Sequence, residues 1–216
     1  MIFGSIEHVH SRRRALKARF DVARQFEEIE ETCIPAYLHW NLAAAGAAWS
    51  RLFVAVKLYG QHAFSGPVLD FGSGSGELSH LLPPETVYEF VEMNEEIANA
   101  TLAMQPKAIR RRLDDLPPAH YAAVFALNSL EHNENIANIF DSLIVSLRPN
   151  APIILSGPTE NFLYRAGRSI AGFNGHYHKA TIYDIESVAS TRLTLLQHRV
   201  APFGVPLYSI TAWKAS

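Results

Sequence analysis

The segment Val68-Leu69-Asp70-Phe71-Gly72-Ser73-Gly74-Ser75-Gly76-Glu77-Leu78 constrains this chain most: an apolar run suited to a buried strand passes through three alternate glycines into a helix-forming stretch. Glycines let the backbone turn sharply and let a ligand approach the main chain. A helix start beyond them would add unpaired N–H groups and a positive dipole end. Such a loop holds a ligand at the carboxyl edge of an α/β sheet. A dinucleotide fits it poorly, because the dinucleotide fingerprint needs a third glycine where Glu77 stands. Asp70 would also repel a pyrophosphate, whereas a carboxylate in a partly buried cleft attracts an ammonium or sulfonium group. That preference points to S-adenosylmethionine.

Around this loop, short apolar runs alternate with helical stretches, the pattern of helices layered on a mostly parallel sheet. Strands are expected at 67–71, 86–92, 108–112, 121–128, 151–156, 192–200 and 207–215, the third being short and polar. Helices are expected at 77–82, 95–104, 134–147 and 182–190. In the third, Ile136, Ile139, Phe140, Leu143, Ile144 and Leu147 form one apolar stripe. Arg148-Pro149-Asn150 should stop that helix before the next strand. The last two strands should be joined by a wide turn through Pro202-Phe203-Gly204-Val205-Pro206. The fold class is therefore α/β. Upstream, Leu16, Phe20, Ala23, Phe26 and Ile29 recur at helical spacing and predict one amphipathic helix over 11–31. We divide the chain into an N-terminal helical cap at 1–60 and a ligand-binding domain at 61–216.

The stretch 66–216 resembles the class I S-adenosylmethionine-dependent methyltransferases, of the kind grouped as methyltransferase domain types 11 and 12. Asp70 to Gly76 looks like that family's first motif. The resemblance implies that Asp70 lies near the cofactor's amino group and that Phe71, Gly72, Ser73, Gly74 and Gly76 approach its methionine portion. Glu92 matches the acidic residue that holds the two ribose hydroxyls, for which a carboxylate able to accept two hydrogen bonds is well suited. Met93 beside it is placed to pack on the adenine face. Leu113-Asp114-Asp115-Leu116-Pro117 and Tyr121 to His132 resemble the third and fourth motifs, which adds Leu113, Asp114 and Asn128 to the cofactor set. The sequence departs from the family here, since the usual adenine-contacting Asp aligns with Arg112. The family also implies a Rossmann-like sheet of seven strands, mostly parallel with an antiparallel last strand, and helices on both faces.

The reaction implied is in-line methyl transfer to a small-molecule, glycan-linked or lipid-linked acceptor. The rival readings are a catalytically inactive cofactor-binding module and a nicotinamide-dependent oxidoreductase. His176 and His178, two apart in a loop beyond the fifth strand, and His132 after the fourth are the candidate proton acceptors. No third ligand accompanies the histidine pair, so no metal site is expected. With 19 Lys+Arg against 21 Asp+Glu, the charge balance argues against a nucleic-acid partner. A single cysteine, Cys33, excludes an internal disulfide and suits a reducing cytoplasm. Arg12, Arg13 and Arg14 lie toward the start of the first helix, opposite to the dipole's preference, so a peripheral contact with an anionic membrane enters as a minor expectation. The stretch 33–50 carries no Asp, Glu, Lys or Arg, but its alanines, Pro35, His39 and Asn41 speak for a packed helix rather than a spanning one.

Overall fold

The structure, a computed structural model, describes residues 2–30, 32–62, 65–165 and 179–215. Four helices come first: α1 (Ile2–Arg19), α2 (Phe26–Ile29), α3 (Ile34–Leu38) and α4 (Leu42–His62). Then follow β1 (Val68–Phe71), β2 (Tyr88–Val91), α5 (Glu95–Met104), β3 (Ile109–Arg110), β4 (Ala123–Leu127), α6 (Ile136–Ser146), β5 (Pro152–Pro158), α7 (Ile182–Ser190), β6 (Leu193–Ala201) and β7 (Tyr208–Ala215). The seven strands form one sheet in the order β3-β2-β1-β4-β5-β7-β6, parallel except for β7, which runs antiparallel between β5 and β6. Strand order, the antiparallel strand and the β6–β7 return therefore agree with the expected Rossmann-like sheet. The chain reverses from β1 to β4 beside β2, which makes the carboxyl ends of β1 and β4 the crevice where ligands bind in open α/β sheets.

Each strand divides its side chains between two cores, since alternate residues face opposite sides. Val68, Phe90, Phe125 and Ile154 pack with α1, α3, α4 and α5, while Leu69, Val91, Val124 and Leu155 pack with α6 and α7. The alternation leaves Asp70 on the face of Val68, beneath the N-terminal helices. Capping follows the local chemistry. Asn41 and Asn94 accept backbone N–H groups at the starts of α4 and α5, and Thr181 with Asp184 forms a capping box on α7.

Three expectations change. The single helix over 11–31 is instead α1, ending at Arg19, and the separate turn α2; Phe20 turns into the core and the Asp21 carboxylate accepts the Arg24 N–H in a local turn. The helix expected after the glycines is only a four-residue 3-10 turn at Glu77–His80, closed off by Pro83 and Pro84. It supplies no helix-dipole cradle for an anion. Two of the three arginines expected on the surface are turned inward: Arg12 grips the buried Glu77 through two bonds of 2.9 Å, and Arg13 is buried, donating to the carbonyls of Tyr37 and His39, which leaves Arg14 alone exposed. These bonds explain arginines that the helix dipole disfavours. One described helix, α4, is long and apolar enough to cross a membrane; here Ala45, Trp49, Leu52, Ala55 and Leu58 are buried against the rest of the fold.

Candidate functional site

A cavity of about 500 Å³ opens at the carboxyl ends of β1, β2 and β4, within the range of small-molecule sites. Its floor is the turn after β1, held to the sheet by Gly72 and Ser73 N–H groups on the Val91 carbonyl. Gly74 sits at φ +53° with open space where a Cβ would project, so the main chain itself faces the cavity. Gly72, Ser73 and Phe71 line the same wall, as expected from the motif. Gly76 does not. A Cβ there would lie 2.6 Å from Thr101 Cγ2, so this glycine allows α5 to pack close rather than admitting a ligand.

Glu92 ends β2 with both carboxylate oxygens anchored: Gly74 N–H donates to Oε2 and Asn94 N–H to Oε1, each at 2.9 Å. Each oxygen keeps a lone pair for a further donor. Arg110 fixes the strand end by donating to the Glu92 carbonyl at 2.8 Å. Met93, 88% exposed, and Leu113 add apolar surface to the lining. Asp114 departs from expectation. Its side chain is solvent-facing, paired with Arg112 at 3.0 and 3.1 Å, and it forms no part of the cavity lining. The 3-10 turn at Leu113–Asp115 directs Leu113 inward instead.

Asp70, from β1, also lines the cavity; it is 3% exposed, with Tyr88 Oη donating to Oδ2 at 2.7 Å. Burial pushes its carboxyl from 3.8 up to about 7; the Tyr88 bond opposes the shift, Glu92 adds to it and Arg51 offsets it. Asn128, at φ +54°, and His132 complete the wall after β4; Ser156 Oγ donates to Asn128 Oδ1. Between them Glu131 is 1% exposed with neither carboxylate oxygen hydrogen-bonded, and burial pushes it up to about 7, against the pull of Arg51. His176 and His178 lie outside the described residues. Among the described residues no group of three His, Cys, Asp or Glu side chains is arranged to hold a metal.

The roof comes from the N-terminal helices of the expected cap, but the sequence reading did not assign their residues to the cofactor site. Cys33, Tyr37 and Arg51 project into the cavity from α3 and α4. The signal was present, because Arg51 is the first charge after an uncharged run of 18 residues; its meaning appears only once α4 lies across the sheet.

A methyltransferase-domain family model matches residues 38–203, more than half of the chain. The chain belongs to the methyltransferase-domain family. Its sheet is that of the class I, S-adenosylmethionine-dependent methyltransferases, and solved structures show the same fold at low identity. The PH0226 protein from Pyrococcus horikoshii OT3 superposes with a TM-score of 0.68 at 16% identity, over 88% of this chain and 99% of that one. Magnesium protoporphyrin IX methyltransferase from Synechocystis PCC 6803, solved with S-adenosylhomocysteine bound, gives 0.62 at 17%, over 82% and 88%. A methyltransferase dependent on S-adenosylmethionine from Aquifex aeolicus gives 0.59 at 13%, over 77% and 92%. No curated protein sequence matches the chain. S-adenosylmethionine is the cofactor of this methyltransferase, and the residues present fit it: an open glycine main chain, a doubly anchored carboxylate at β2 and a buried acid on β1.

Proposed function

We propose that the protein transfers a methyl group from S-adenosylmethionine to an oxygen, nitrogen or carbon nucleophile on a small-molecule, glycan-linked or lipid-linked acceptor. The observation that carries this reading is the cavity itself, with its glycine floor, the Glu92 and Asp70 carboxyls in its lining, and a roof of N-terminal helices. The Glu92 oxygens accept the two ribose hydroxyls, held in place by Gly74 and Asn94. Met93 and Leu113 sandwich the adenine. Asp70 faces the methionine ammonium and Gly72 to Gly74 the methionine chain, with Asn128 beside them. When bound, the cofactor supplies an activated sulfonium methyl, so the protein's share is alignment and exclusion of water.

Among the described residues His132 is the candidate to take a proton from the acceptor, since it lines the cavity beyond β4. His176 and His178 are proposed for the same role from sequence. The cap at 1–60 closes the site and the domain at 61–216 holds the cofactor. Calorimetric titration with S-adenosylmethionine and S-adenosylhomocysteine tests the reading. Glu92→Ala should weaken both by tenfold or more; wild-type protein that is folded yet binds neither overturns it.

A further inference from the structure

Apart from Met93 of the cavity lining, the most exposed large apolar side chains among the described residues gather on one rim of the molecule. Phe203 is 99% exposed, Phe162 82% and Trp40 80%, with Leu42, Leu163 and Val205 exposed beside them. The strand register places two of the three segments. Ala201 at the end of β6 pairs with Tyr208 at the start of β7, and Tyr208 pairs with Pro158 at the end of β5. The turn carrying Phe203 and Val205 therefore stands at the carboxyl edge of the sheet, next to the segment after β5 that carries Phe162 and Leu163. The two are tied together: Thr159 N–H donates to the Leu207 carbonyl at 3.0 Å, and the Thr159 hydroxyl and Asn161 amide each donate to the Pro206 carbonyl at 2.6 Å. The third segment joins them through the roof. The Arg51 guanidinium lies 5.4 Å from the Tyr37 ring centroid and 5.7 Å from that of Tyr208, whose ring meets Tyr164 edge-on at 5.9 Å. Trp40 and Leu42 follow Tyr37 closely in the chain, and Phe162-Leu163 immediately precede Tyr164. All three segments thus border the edge at which the cavity opens.

A single exposed apolar side chain needs no explanation, but several on one rim mark an interaction surface. These are separate loop tips rather than one continuous face, a form that suits a fluid acyl layer better than the complementary surface of a folded partner. The charges agree with that choice. Arg165 and Arg199 beside the tips are exposed, whereas Glu160, the one acid in 39–42, 159–165 and 199–207, is partly buried. Such a balance attracts anionic headgroups, and Trp40 has the amphipathic ring that favours the headgroup boundary. We propose that this rim docks on an anionic lipid bilayer, with Trp40, Phe162 and Phe203 entering the acyl boundary and Arg165 and Arg199 meeting the headgroups. The methyl acceptor is then an amphiphile drawn from that layer; this assignment rests on the methyl-transfer reading above, whereas the docking does not.

The test titrates the full-length protein with vesicles of equal parts phosphatidylcholine and phosphatidylglycerol, read by co-flotation and by tryptophan fluorescence. Of the three tryptophans, Trp49 and Trp213 are buried, so a blue shift on adding vesicles reports Trp40. Wild type should float and shift, and Phe203→Ser should weaken vesicle binding by about tenfold or more. Phe162→Ser combined with Phe203→Ser should abolish it. Neither residue lines the cavity, so both variants should bind S-adenosylhomocysteine as wild type does, which also shows that they are folded. Val145→Ser is the control, since Val145 is exposed near the end of α6, by the bridge of Leu147 to Tyr121 at the opposite edge of the sheet, and vesicle binding should not change. Wild type that ignores anionic vesicles, or binding weakened as much by Val145→Ser as by the rim variants, overturns the docking. So does self-association of wild type in sedimentation velocity that Phe203→Ser abolishes, because the rim would then hold a second copy of the chain. Wild type that floats yet fails to bind S-adenosylhomocysteine overturns the methyl-transfer reading and the acceptor assignment with it, and leaves the docking standing.

Discussion

Asp70→Asn offers a sharp test of the buried acid beneath the cavity. The carboxyl titrates near 3.8 in the unfolded chain and is pushed to about 7 in the folded protein, chiefly by burial. Between those values the folded state holds a proton that the unfolded state has lost. Its contribution to stability is therefore full below 3.8 and is lost as the pH rises through about 7. The step amounts to about 4 kcal/mol in all, of which about 2–3 kcal/mol falls between pH 5 and pH 8. Asparagine has the same shape, cannot ionise, and can still accept the Tyr88 hydroxyl through its amide oxygen. The variant should therefore gain about 2–3 kcal/mol on the wild type when urea unfolding at pH 8 is compared with unfolding at pH 5. Glu131, pushed up to about 7, and His80, pushed down to about 4 by burial, also shift stability with pH, but both are common to the two chains. A variant whose stability relative to wild type is the same at both pH values would refute the argument that Asp70 is an uncharged acid in the folded protein below neutrality.

The same acid links cofactor binding to pH: a bound ammonium favours ionised Asp70, so titrations at pH 6 in buffers of different ionisation enthalpy should show proton release, and affinity should rise toward pH 8. Arg12→Met strands the buried Glu77 carboxylate and should cost about 3–5 kcal/mol in urea unfolding, with much of it recovered by adding Glu77→Gln. Gly76→Ala should destabilise the fold by about 1–3 kcal/mol through its clash with Thr101. Gly74→Ala should instead weaken S-adenosylhomocysteine binding with a smaller loss of stability, as thermal unfolding and calorimetry would show. His132→Ala should bind S-adenosylhomocysteine as wild type does and lose turnover on an acceptor that needs a base.

The centre of the sheet was legible because β1, β2, β4 and β5 are buried along their whole length and write themselves as largely apolar runs. Even the β6–β7 return was marked, by paired prolines around Gly204. Much of the cavity floor was legible for a related reason: Asp70, the glycines and Glu92 sit at strand ends, where the chain leaves the apolar pattern abruptly. What the sequence hid depended on contacts between distant segments. Gly76 looks like its neighbours until Thr101 is packed against it, and Asp114 looks like a ligand until Arg112 takes it. The arginines of α1 read as a surface patch because nothing near them in sequence reveals Glu77 or the carbonyls after Tyr37. Arg51 and Tyr37 are 14 residues apart and join the site only because α3 and α4 fold back across the sheet above Asp70.

The central claim is that the crevice between β1, β2 and β4 binds S-adenosylmethionine through Glu92. Titration of S-adenosylhomocysteine into wild type and Glu92→Gln tests it most directly. Glutamine retains an acceptor but adds donors where the ribose hydroxyls must donate, so the account predicts saturable one-to-one binding by wild type and at least tenfold weaker binding by the variant. Equal affinity in the two proteins would contradict the assigned site, and absence of binding by folded wild type would contradict the cofactor.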